Sequence, residues 1–102
     1  MKAYDLMGEM GEEAWRRGET GAEANLILGA RPLGRGAFFA LRHGDEKVVW
    51  LIPLDADVGP LAELWSAIRP YIVGGKASHE DGSTAVFANV PEGELRELLE
   101  KV

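Results

Sequence analysis

Residues 36–54 read GAFFALRHGDEKVVWLIPL, and the reading of this stretch decides the fold. Two apolar runs flank Gly44-Asp45, a Gly-X pair of the kind that closes a two-residue type II′ hairpin turn. The arms are then Ala37–Arg42 and Lys47–Leu54. Such a turn sets the register. Leu41 faces Val48, Phe39 faces Trp50 and Ala37 faces Ile52 on one side, while Ala40/Val49 and Phe38/Leu51 lie on the other. Both sides are apolar, so a single layer of helices does not suffice to cover this hairpin.

Downstream of the hairpin, Asp55–Pro60 leads into a helix with Pro60 at its first position. Leu61, Leu64, Trp65 and Ile68 follow the i, i+3, i+4, i+7 spacing of a buried helical face. Pro70 stops or kinks that helix, and residues 74–83 (GGKASHEDGS) read as a polar loop. Thr84–Val90 alternates as a last strand. Asn89 to Glu92 has the spacing of a capping box for a closing helix whose stripe is Leu95, Leu98, Leu99 and Val102. Glu92–Arg96 and Glu97–Lys101 are spaced to pair on its outer face.

Upstream, residues 31–36 (RPLGRG) read as a loop. Residues 22–30 alternate as a strand, with a continuation of the first helix past a kink at Gly18–Gly21 as the other reading. Residues 3–17 form a helix, with Asp5 as its cap and an apolar stripe of Ala3, Met7, Met10 and Ala14. Gly8 and Gly11 weaken it or admit a close neighbour. Glu12–Arg16 and Glu13–Arg17 are i,i+4 pairs, and Gly18 is the stop. The order α-β-β-β-α-β-α predicts an α+β two-layer sandwich: three helices on a four-stranded, mixed, mostly antiparallel sheet. The strand-helix-strand passage from Val48 to Val90 is long enough for a right-handed crossover that sets the last strand parallel to a neighbour.

At 102 residues the chain suits one domain spanning 1–102. It has no cysteine, which excludes disulfides and thiolate metal sites, and no run of ~20 apolar residues that spans a bilayer. The first residues lack the apolar core of a signal peptide. These features predict a cytoplasmic protein without a membrane partner. The net charge is −6, which argues against nucleic acid as a partner. The charge is uneven: residues 1–15 carry −3, residues 16–47 carry +2 and residues 48–102 carry −5. With no Gln or Cys and two Asn, the composition is that of a heat-adapted protein, a bias that a GC-rich genome also produces.

No motif specifies a cofactor or metal. The pattern Gly75-Lys76-Ala77 fails the phosphate-loop signature, and Gly34-x-Gly36 does not continue as a dinucleotide fingerprint. Asp55 and Asp57 form a D-x-D able to hold Mg²⁺, but acids ahead of a helix start explain them equally. Arg31, Gly34 and Arg35, with Arg42 and His43, form the candidate ligand-binding set, suited to a small anion because guanidiniums beside free N–H groups cradle phosphates and carboxylates. His43 and His79, each with neighbouring acids, are candidates for proton transfer if their loops meet. Trp15, Trp50 and Trp65 read as core residues rather than a stacking platform.

Two functional classes follow. The first is a small interaction or ligand-binding domain without catalysis, self-associating as a homodimer that covers the second face of the hairpin, either sheet face against sheet face or through a shared edge. The second is a small enzyme that holds an anionic metabolite with Arg31, Arg35 and Arg42 and moves protons with His43 or His79. The enzyme requires a pocket containing at least one of these histidines and two of the arginines.

Overall fold

The computed structural model describes residues 1–20 and 23–102. The hairpin forms in the expected register: β2 (Gly36–His43) pairs antiparallel with β3 (Glu46–Pro53), with Leu41 opposite Val48, Phe39 opposite Trp50 and Ala37 opposite Ile52. Gly44 has φ 58°, the positive value that a type II′ turn needs at its first central position. The same chemistry recurs upstream. β1 (Leu26–Leu33) meets β2 through Gly34-Arg35, with Gly34 at φ 60° and Leu33 opposite Gly36.

Residues 31–36 are therefore strand as far as Leu33 and then a two-residue turn, not a loop. Pro32 is compatible with this because its missing N–H would point away from β2, where β5 has already ended at Thr84 opposite Ala30. The strand expected over 22–30 begins at Leu26. Ala22, and Gly21 of the alternative helical kink, lie outside the described residues.

The sheet has five strands rather than four, in the order β3-β2-β1-β5-β4, and every neighbouring pair is antiparallel. The additional strand, β4 (Ile72–Ala77), occupies the first part of the expected loop 74–83. Its glycines reflect a close helix rather than a loop: a Cβ on Gly75 would stand 2.5 Å from the Ala14 Cα. Because β4 reverses the chain once more before β5 (Thr84–Ala88), the last strand runs antiparallel to β1 and no parallel crossover forms.

Three helices pack on one face: α1 (Ala3–Arg17), α2 (Pro60–Ile68), which ends in a 3₁₀ turn over Arg69–Tyr71, and α3 (Glu92–Glu100). Their apolar stripes join Leu26, Leu28 and Ala30 of β1, Ala37, Phe39 and Leu41 of β2, and Val86 and Ala88 of β5 in one buried cluster. On α1 the stripe includes Leu6, fully buried and absent from the expected set, while Met7 is only half-buried. Lys2 and Pro91 precede α1 and α3, and neither helix has a side-chain cap, so neither Asp5 nor the Asn89–Glu92 box acts as expected. Asn25 instead takes a structural role. Its side-chain amide donates to the Val90 carbonyl at 2.7 Å and its Oδ1 accepts the Val90 N–H at 2.9 Å, extending the β1–β5 ladder by one pair.

Of the expected ion pairs, Glu13–Arg17 forms and, among the described residues, the other three do not. Glu13, its side chain only 3% exposed, accepts hydrogen bonds from Arg16 and from the Arg17 Nε at 3.0 Å, with the Arg69 Nε at 3.5 Å. Glu12–Arg16, Glu92–Arg96 and Glu97–Lys101 do not pair among the described residues. Burial pushes the Glu13 carboxyl up, but hydrogen bonds and charge from Arg17 and Arg16 outweigh it and hold the group below its ordinary value. A depressed folded-state value contributes stability above the ordinary glutamate range and loses it as the pH falls through the folded value. Glu13→Gln is therefore expected to cost about 1–2 kcal/mol at pH 7, its arginine partners being partly solvated. Urea melts should show that difference shrinking as the pH falls below the ordinary glutamate range and through the lowered folded-state value; a difference independent of pH would contradict the assignment.

Candidate functional site

Alternation along the strands places every second residue on the face opposite the helices. Across β1, β2 and β3 these residues form rows: Ile27–Arg42–Lys47, Gly29–Ala40–Val49, Arg31–Phe38–Leu51 and Leu33–Gly36–Pro53. Ala85 and Lys76 continue the second row through β5 and β4, and Phe87 continues the first. No helix packs on this face among the described residues. Leu51 is 66% exposed, Val49 51% and Leu33 47%, and Ile27, Phe38 and Ala40 are half-buried. The covering problem posed by a hairpin with two apolar faces is thus left open among the described residues.

The face has a charge pattern of its own. Arg31, Arg42, Lys47 and Lys76 are its strand-borne charges, all basic and all exposed. Glu46 is the only acid in any strand, and it stands opposite His43 on the helix side. The Arg31 guanidinium lies over the Phe38 ring, 5.7 Å from its centroid, a contact that positions the charge above an apolar floor. Beyond the β4 edge, Glu19 approaches the Lys76 Nζ at 3.9 Å with both side chains solvated. Gly29, Ala40 and Ala85 make the middle row shallow, a trough between rows that carry larger side chains.

The expected ligand set divides over this surface. Arg31 and Arg42 share the open face but stand four residues apart along the strands, ~13 Å at strand rise. Gly34 and Arg35 form the β1–β2 turn at the Arg31 end. His43 lies on the opposite face from Arg42, where it lines a cavity with Glu92, Leu95, Arg96 and Leu99 of α3; at the hairpin tip the two residues also border one open cleft with Asn25 and Ile27. His79 is in the β4–β5 loop, at the end of the sheet where β1 turns into β2, whereas His43 is at the other end. The two histidines are not brought together, and neither shares a cavity with two of Arg31, Arg35 and Arg42 among those described.

The remaining candidates have structural partners. Asp57 accepts the Gly59 N–H at 2.7 Å and pairs with the Met1 amino group at 3.2 Å, and these two contacts, in that order, hold its carboxyl below the usual range. That is the helix-start role, and no cluster of metal-ligating side chains occurs among the described residues. Trp15 is not core: it is 75% exposed, edge-on to the His79 ring at 5.9 Å. Trp65 is buried and Trp50 half-buried.

Compared with protein-family models, curated proteins and solved structures, the chain matches none. The geometry of the surface therefore carries the functional argument. No helix of the described residues is long and apolar enough to cross a membrane.

β3 is the second exposed feature. As an edge strand it pairs, among the described residues, only with β2. The two-residue turn makes His43–Glu46 the first hydrogen-bonded pair, so Val48, Trp50 and Ile52 bond to β2 and the N–H groups of Lys47, Val49 and Leu51 point outward. This edge runs without a bulge through five consecutive apolar residues, Val48 to Ile52. The residues that blunt a natural edge, an outward lysine and a proline, stand only at its ends as Lys47 and Pro53.

Proposed function

We propose that the protein is a cytoplasmic interaction domain that acts by binding and works as a homodimer joined along the outer edges of its two β3 strands. The observation that carries this reading is the regular, apolar, unpaired edge of β3, a surface that soluble proteins ordinarily cover or interrupt. Two-fold symmetry is the commonest way to close such an edge. An axis through Val49 joins the two sheets into one and leaves both helical layers on the same side. Stacking the open faces on each other instead would set Arg31, Arg42 and Lys47 against their own copies with no acid between them, which is why the edge is favoured over the face. The absence of cysteine suits a reducing compartment.

Sedimentation velocity at micromolar concentration tests the proposal. The expected species has twice the 11.1 kDa mass of the chain. Val49→Pro removes an outward N–H without touching the β2 ladder, and should give a monomer with an unchanged far-ultraviolet spectrum. A wild-type monomer, or a Val49→Pro protein that remains dimeric, overturns edge pairing.

A further inference from the structure

We propose that the open sheet face docks an acidic, amphipathic helical segment of a partner protein, laid across the strands along the Ala85–Gly29–Ala40–Val49 row. Three observations converge. The middle row has a floor of Gly and Ala, so an apolar stripe can descend into it. The rows on either side carry the cations: Arg42 and Lys47 on one side, Arg31 on the other, with Lys76 at the far end of the trough. Finally, the two cation rows stand ~13 Å apart, against a helix diameter of ~10–12 Å with side chains. A helix in the trough therefore brings the carboxylates on both its flanks to the arginines and lysine, while its apolar stripe covers Ala40, Val49 and Ile27.

Charge complementarity selects this occupant. Four strand-borne cations and no strand-borne acid on one face, with Glu19 reaching only Lys76, on a chain of net charge −6, describe a surface that attracts an acidic partner and repels a copy of the same face. Single-stranded nucleic acid fits less well. The face carries no Trp or Tyr, its Phe38 and Phe87 are half-buried, and Arg31 already occupies the Phe38 ring, leaving no open platform for base stacking. The inference does not rest on β3 edge pairing, since the trough lies within a single copy.

The test is an NMR titration of the ¹⁵N-labelled full chain with a leucine-striped, glutamate-flanked helical peptide. The same peptide with lysine for glutamate and an oligo-dT strand serve as the other arms. The expected result is saturable shifts of the Gly29, Ala40, Val49 and Ala85 amides with the acidic peptide. Binding of the lysine peptide should be at least ~10-fold weaker, the scale of like-charge juxtaposition, and Arg31→Glu with Arg42→Glu should weaken the acidic peptide by a similar factor. If that double variant fails to fold, the comparison of peptides on the wild type still decides. Equal binding of both peptides, shifts elsewhere, no saturable shift, or preference for oligo-dT overturns the proposal.

Discussion

Gly75→Ala is expected to destabilise the protein by about 3 kcal/mol, at the upper end of the cost of overpacking a core, and Gly75→Val by more. A Cβ at this position would stand 2.5 Å from the Ala14 Cα, 2.8 Å from the Ala14 Cβ and 3.1 Å from the Ala85 carbonyl oxygen. Two of these obstacles are backbone atoms, one on a helix and one on the neighbouring strand, so no rotamer change relieves them. Either α1 lifts from β4 or the β4–β5 ladder distorts. Moving α1 also disturbs the hydrogen bond from the Gly75 N–H to the Gly18 carbonyl at 2.8 Å, where the chain leaves the helix and passes the outer edge of the sheet. Gly8→Ala is the control. Nothing lies within 4 Å of its added Cβ, so it should gain about 1 kcal/mol of helix propensity. Urea denaturation of the two variants checks both signs, and a neutral Gly75→Ala would show that α1 does not pack this closely.

That contact belongs to the part of the fold that local sequence does not encode. The β2–β3 register was legible because Gly44-Asp45 lies between two apolar runs, and one turn type leaves one register. The β1–β2 turn carried the same signal in Gly34-Arg35, but Pro32 and the flanking glycines made the stretch look like a loop. What permits Pro32 is the end of β5 at Thr84, a tertiary fact. β4 was hidden for a similar reason. Gly74 and Gly75 read as breakers, whereas their job is to let Thr20 and Ala14 approach, and a chain without β4 enters β5 from the opposite end of the sheet. The face opposite the helices was legible as a surplus of apolar residues, Phe38, Ala40, Val49 and Leu51. Its charge was not, because Arg31, Arg42, Lys47 and Lys76 are scattered in sequence and only the pairing of β1, β2, β3 and β4 in one sheet places them together. Sequence proximity likewise groups His43 and Arg42 with Arg31 and Arg35; the first two do border one cleft, but strand rise carries the other two to the far end of the sheet.

Trp65→Ala is expected to cost about 3–5 kcal/mol, the range for emptying a buried aromatic site, and so a large part of the roughly 5–15 kcal/mol that holds a domain of this size together. Trp65 is 1% exposed, and its ring fixes how α2 meets α1. Its Nε1 donates to the Glu9 Oε1 at 3.0 Å, the Arg69 Nη1 donates to the same oxygen at 2.8 Å, and the Arg69 guanidinium lies 5.5 Å from the ring centroid. Arg69 also reaches Glu13 at 3.5 Å, so one cation at the end of α2 gathers two acids of α1 over a buried indole. Trp65→Phe separates the contributions. It keeps most of the apolar volume and removes only the N–H donor, and because Glu9 retains Arg69 and is partly solvated, no acceptor is stranded. The expected cost is about 1–2 kcal/mol, a hydrogen bond plus a modest loss of volume. Chemical denaturation monitored by circular dichroism measures both without relying on the altered fluorophore. Losses of equal size would mean that the hydrogen bond to Glu9, rather than packing of the ring, joins the two helices.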